Sequence, residues 1–195
     1  MNLNISQFES RLPKSASDNA RHNVRSAIMI ANGFSEKAAE IRADGRLSAE
    51  GQAEKLAELK AATSTNGHLV QIRTQAQKQL NSIKSERDSF KREVLKRPED
   101  PLAEMRAAEI RTMLRGLPET ERLRLAMSDD AEIRDAVALA TPVLSGVPAV
   151  VHEQIVDKIV SARFQTRSAE LAALEDESEA VLAAASVASD FIARG

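Results

Sequence analysis

The sequence predicts an all-α fold, with two long helices arranged as an antiparallel hairpin or a coiled-coil seam and a small bundle of short helices between them. Three observations carry that expectation. Aromatic residues make up 3 % of the 195 residues, neither Trp nor Tyr occurs, and no stretch shows the β-branched alternation of strands. Apolar residues recur three or four apart over long stretches, which is the period of one helix face. The chain breakers, seven Gly and six Pro, leave two long stretches almost uninterrupted. With 43 % hydrophobic and 29 % charged residues, the chain has enough apolar matter for a core. That core must come from Leu, Ile, Val and especially Ala, which buries only about one or two CH₂ equivalents at about 0.8 kcal/mol each. Long helices sharing thin seams are therefore expected rather than a deep globular core.

Taken in order, residues 1–16 are polar and irregular around Pro13 and are read as a flexible arm. Between Asp18 and Ala43, the residues Val24, Ala27, Ile28, Ala31, Phe34, Ala38 and Ile41 share one helix face. Gly33 weakens the middle of that helix by about 1 kcal/mol relative to Ala, and a break there is an open alternative. Asp44-Gly45-Arg46 supplies the turn, and Ser48 is the expected N-cap of the next helix. From Ala49 to Arg97 the pattern is helical, and Leu69, Ala76, Ile83 and Phe90 repeat every seven residues. Arg73, Leu80, Arg87 and Val94 take the complementary heptad position, so two Arg are expected in the seam. Unbroken, this rod would measure ~70 Å; Thr63 to Gly67 offers a hinge that would split it in two.

Pro98 to Pro101 stops the rod, with Asp100 able to cap and Pro101 well placed at the first helical position. Short helices are expected near residues 102–115, 118–127 and 130–140, the last with Asp129 and Glu132 in capping-box register. Thr141-Pro142 and Ser145 to Pro148 make a bend, and a last helix should run from Pro148 to Ala193 without Gly or Pro inside. The organisation read from this is an arm at 1–16, the first helix and long rod at 17–97, a short-helix head at 98–147 and a long C-terminal helix at 148–195.

Charge restricts function more than composition does. A net charge of −2 and a pI near 6.0 are unlike a protein that binds nucleic acid over its whole surface. Locally, Lys78, Lys84, Arg87, Lys91, Arg92, Lys96 and Arg97 stand against Glu86, Asp88 and Glu93, whereas residues 168–193 carry six acids and no base. These strips either pair, within or between chains, or remain solvated faces. Cysteine is absent, which fits manufacture in a reducing cytosol. MNLNISQFESRLPK has no apolar core after a basic start, and no apolar run reaches about 18 residues, so neither a secretory signal nor a membrane span is expected.

No catalytic, cofactor-binding or metal-ligating set is read in the sequence, and an enzyme is not expected. His22, His68 and His152 are widely separated, and His152-Glu153 lacks the second histidine of a zinc-protease motif because Val156 stands there. No phosphate-cradling glycine loop and no nucleophile elbow occurs. The helices carry no Glu-x-x-His pairs for a di-iron site. What remains is contact chemistry. The seam residues Leu69, Ala76, Leu80, Ile83, Phe90 and Val94 form a candidate interface, and Lys84, Arg87, Lys91, Arg92, Lys96 and Arg97 form a candidate electrostatic strip.

Two stretches resemble small helical phage and prophage proteins. IRADGRLSAEGQAEKLAELKA, from Ile41 to Ala61, is similar to their opening of helix, turn and long charged helix. IRTMLRGLPETERLRLAMSDDAEIRDAVALATPVLSGVP, from Ile110 to Pro148, is similar to a block that precedes their C-terminal helix. The resemblance implies a non-enzymatic virion or assembly protein associated with capsid, portal, neck or tail. Such a protein is made in the bacterial host cytoplasm, with incorporation in the virion left open. Its partners would be further copies of itself or phage structural proteins, with no membrane, cofactor or small-molecule substrate. The alternative is a nucleic-acid-associated or regulatory protein using the strip 84–97, with affinity that falls steeply with salt.

Overall fold

A computed structural model of the chain describes residues 2–96 and 100–195. The all-α expectation holds, because every regular element among the described residues is a helix. In order they are α1 (Ile5–Glu9), α2 (Asp18–Ala43), α3 (Ala49–Ser64), α4 (Gly67–Val94), α5 (Pro101–Gly116), α6 (Glu119–Ala126), α7 (Ala131–Ala138), α8 (Pro142–Ser145), α9 (Ala149–Arg163) and α10 (Gln165–Arg194). None of them is long and apolar enough to cross a membrane. The chain divides into two units, Met1–Ile83 with Glu170–Gly195 and Lys84–Ala169.

In place of two rods there are three helices of similar length: α2 with 26 residues, α4 with 28 and α10 with 30. The rod from Ala49 is split, and the reason is local. Asn66 turns its Oδ1 to the backbone N–H of His68 at 3.0 Å and of Leu69 at 3.1 Å, starting α4 afresh. The C-terminal helix is also divided, at Phe164, where φ −115° and ψ 33° leave the helical region. Gly33, by contrast, does not break α2. Ser48 caps α3 as expected, its Oγ accepting from Gly51 N at 3.1 Å, and Asp100 caps α5 with Pro101 at the first helical position. The expected stop at Pro98 lies outside the described residues.

The first unit is built around α2, α4 and α10. Val24, Ala27, Ile28 and Ala31 of α2 meet Leu69, Ile72 and Ala76 of α4 and Val181, Ala184, Ala185, Ala188 and Ile192 of α10 in one core cluster. The cluster is rich in Ala, so each residue adds little buried area and many have to contribute. The N-terminal segment is not a loose arm. It forms α1, and Phe8 and Leu12 enter the same core. Asn32 fixes it, accepting from Leu3 N at 2.7 Å and donating to Leu3 O at 3.0 Å, and Glu9 pairs with Arg25 at 2.7 Å. Ser17 caps α2, and Glu177 of α10 accepts from both its N–H and its hydroxyl at 2.8 and 2.7 Å.

The second unit packs α5 on α7 and α8, and α7 on α9. Its interior holds Ala107 and Leu114 of α5, Ala136 and Val137 of α7, and Ile155, Val156, Ile159 and Val160 of α9. Arg111 is buried with them, donating to Ala136 O at 3.1 Å and to Glu104 at 2.7 Å. Phe164 stacks on Phe90 of α4, ring centroids 4.3 Å apart and planes 8° from parallel. The expected cap at Asp129 falls one residue further on. Asp130 accepts from Glu132 N and Ile133 N to start α7, while Asp129 is engaged by Lys158 at 2.9 Å.

Candidate functional site

The seam residues are placed inside the chain rather than on its surface. Leu69 and Ala76 lie in the core of the first unit, and Ile83, Phe90 and Val94 are buried as well; Leu80 is half-buried. Arg73 does not enter the seam. It is exposed, and Ile72, 1 % exposed, takes the inward position beside it. A guanidinium head is costly to desolvate without a partner, and one residue along the helix (about 100°) an isoleucine fills the same gap. Arg87 is half-buried.

The electrostatic strip is largely engaged within the second unit. Lys91 contacts Asp157 at 2.8 Å and Glu153 at 3.8 Å, and the hydrogen bond to Asp157 raises its pKa above the usual lysine value. Both carboxylates lie on α9, not in the acidic stretch 168–193. Arg92 donates to Asp88 O at 3.3 Å, neither Arg87 nor Lys96 is free, and Lys84 is exposed. Arg97 lies outside the described residues. Arg167 holds Glu86 at 2.6 Å and lowers its pKa through that hydrogen bond.

Among the large apolar side chains that stay exposed, three lie together on the outer face of α5. Its inner face spends Ala107, Arg111 and Leu114 on the core. Outward it keeps Leu102 at 63 %, Met105 at 61 % and Met113 at 47 % exposure. At 3.6 residues per turn these three share an arc of roughly 100° with Arg106 and Glu109. Arg106 and Glu109 are both exposed and form no ion pair among the described residues. Two of the apolar groups are methionines, whose flexible thioethers adapt to a partner surface.

Beside the C-terminal end of α5 the bend of α8 adds Val143, 82 % exposed. The bend is held by two arginines. Arg115 donates to Leu144 O at 2.7 Å, and Arg122 donates to Gly146 O at 2.8 Å and to Leu117 O at 3.1 Å. Gly146 adopts φ 68°, a left-handed conformation that favours glycine, and a methyl group there would push aside the Arg122 guanidinium. Val143 is thus displayed on a fixed bend.

A sign of this face stands in the sequence of α5 itself. Apolar residues of α5 fall on both sides of the helix, more than a single core-facing stripe needs. No group of three or more His, Asp or Glu among the described residues is placed to hold a metal ion. His22 and His68 approach to 6.4 Å between ring centroids, and His152 Nε2 lies 2.9 Å from Ala140 O. No family model matches the chain, and no curated protein or solved structure matches it either.

Proposed function

We propose that the chain is a non-enzymatic virion or assembly protein of phage type that works through helical protein–protein contacts, with the outer face of α5 as its contact surface. The observation that carries this is the exposed stripe of Leu102, Met105 and Met113 on a helix whose other face already fills a core. Large apolar groups exposed along one face of a folded helix are candidates for an interaction surface. The heptad seam cannot serve, since its residues are consumed within the monomer.

The first occupant of the face is a second copy of the chain. Two α5 helices packed antiparallel by their outer faces, with the two-fold axis at the level midway between positions 107 and 108, bring Leu102 opposite Met113 and Arg106 opposite Glu109. The same residues then supply both sides of an isologous contact, apolar against apolar and cation against carboxylate. The phage assignment is supported by the resemblance of Ile41–Ala61 and Ile110–Pro148 to phage proteins. The nucleic-acid alternative is weakened, because Lys91 is committed to Asp157 and Glu153 and Arg92 to a backbone carbonyl.

The test uses a photo-reactive amino acid at position 105 or 113 in cells that make the protein. A covalent adduct with a further copy, or with one component of a phage particle, is expected. Adducts spread over unrelated proteins, or none from either position, contradict the proposal.

A further inference from the structure

The first unit carries an open groove of about 420 Å³ along α4, where the polar Ser64, Arg73, Thr74, Gln77, Lys78 and Ser189 share the lining with the apolar Leu69 and Val70. Its volume falls in the range of small-ligand sites, about 300–1,000 Å³. Arg73 and Lys78 are exposed and have no ion-pair partner among the described residues. The hydroxyls of Ser64 and Thr74 are likewise uncommitted, while Ser189 donates its hydroxyl to Ala185 O. Gln77 keeps donor capacity beyond its 3.3 Å bond to Asn81.

The surrounding sequence is as telling as the lining. Between Glu58 and Ile83, where this part of the first unit ends, there is no Asp or Glu, although Lys60, Arg73 and Lys78 occur there. Asp190, next to Ser189 in the chain, lines a separate depression with Phe191 and Arg194. In a chain of net charge −2 this stretch of sequence carries cations and neutral donors without an acid.

We propose that this groove binds a small phosphate-bearing anion. The Arg73 guanidinium offers paired N–H donors that match phosphate oxygens, Lys78 offers a compact positive charge, and Ser64 and Thr74 offer hydroxyl donors. No aromatic ring lines the groove, so it lacks the stacking platform on which single-stranded nucleic acids are held. The site is distinct from the strip 84–97 and independent of the α5 contact face, which belongs to the other unit.

Titration calorimetry of the full chain with inorganic pyrophosphate tests this. Saturable binding at one site is expected, weakened about tenfold by Arg73→Ala and by Lys78→Ala, each removing a charge-assisted contact. Lys37→Ala, an exposed cation on α2 outside the groove, should leave the affinity unchanged. Both groove residues are exposed, so the variants should keep the wild-type far-ultraviolet dichroism. Flotation with vesicles containing phosphatidic acid separates the sources. Flotation lost in Arg73→Ala assigns a lipid headgroup, and pyrophosphate binding without flotation assigns a free anion. Absence of saturable pyrophosphate binding, or equal binding by wild type and both groove variants, overturns the site. A single-stranded oligonucleotide binding more tightly than pyrophosphate through the same two residues overturns the choice of a small ligand.

Discussion

Arg111 is 6 % exposed in the second unit, where a charge without partners would be costly to desolvate. Its two partners explain its tolerance. Ala136 O belongs to the last turn of α7, where carbonyls lack helical donors, and Glu104 supplies the opposite charge from one side of α5. Arg111→Ala should therefore destabilise the chain by about 3 kcal/mol, since it leaves a cavity and an unpaired carbonyl. Urea unfolding checks this; a midpoint equal to wild type would show that the buried guanidinium contributes nothing. The role of Arg111 was not legible in the sequence, because an arginine on an amphipathic helix reads as surface. Arg73 misled in the opposite direction. Heptad spacing placed it in the seam, and only packing distinguishes position 73 from position 72. A straight helix drifts by roughly 20° per heptad, so the inward residue shifts from Ile72 near one end to Val94 near the other.

Elements announced by side-chain caps were legible. Ser48 and Asp100 mark the starts of α3 and α5, each accepting from a backbone N–H of the first turn. Elements set by tertiary contact were not. The division at Phe164 has no Gly or Pro to signal it, and its visible companion is the stacked ring of Phe90, remote in sequence. The N-terminal segment looked polar because its two core residues, Phe8 and Leu12, are too few to show a period. Near Phe164 the pair Glu86–Arg167 links α4 and α10 within the second unit. The hydrogen bond from Arg167 lowers the Glu86 pKa in the folded state. A depressed folded pKa adds stability above the unfolded value and loses it as pH falls through the folded value. Arg167→Ala should thus melt below wild type from neutral pH down to the ordinary glutamate value of about 4.3, and the gap should close below it. Thermal melts across that range check the sign; a gap that widens on acidification would contradict it.

At the scale of the whole molecule, the residues that look made for a coiled coil are used to fold one chain. Leu69, Ile72 and Ala76 meet α2 and α10 in the first unit's core, and Phe90 meets Phe164 in the second. Under the proposed function, contact with other proteins falls to an uncovered surface, the outer side of α5. Because Arg106 and Glu109 are equidistant from the proposed two-fold axis, their charges decide whether two copies fit. Light scattering behind a sizing column tests this central claim on the wild type, Arg106→Glu and the swapped pair Arg106→Glu/Glu109→Arg. The wild type should approach twice 21.2 kDa as concentration rises. Arg106→Glu, which gathers four carboxylates at the contact, should stay at one chain, and the swap should restore the pair. An Arg106→Glu chain that associates like wild type, or a wild type that stays at one chain at every concentration, would contradict the α5 face as the site of self-contact.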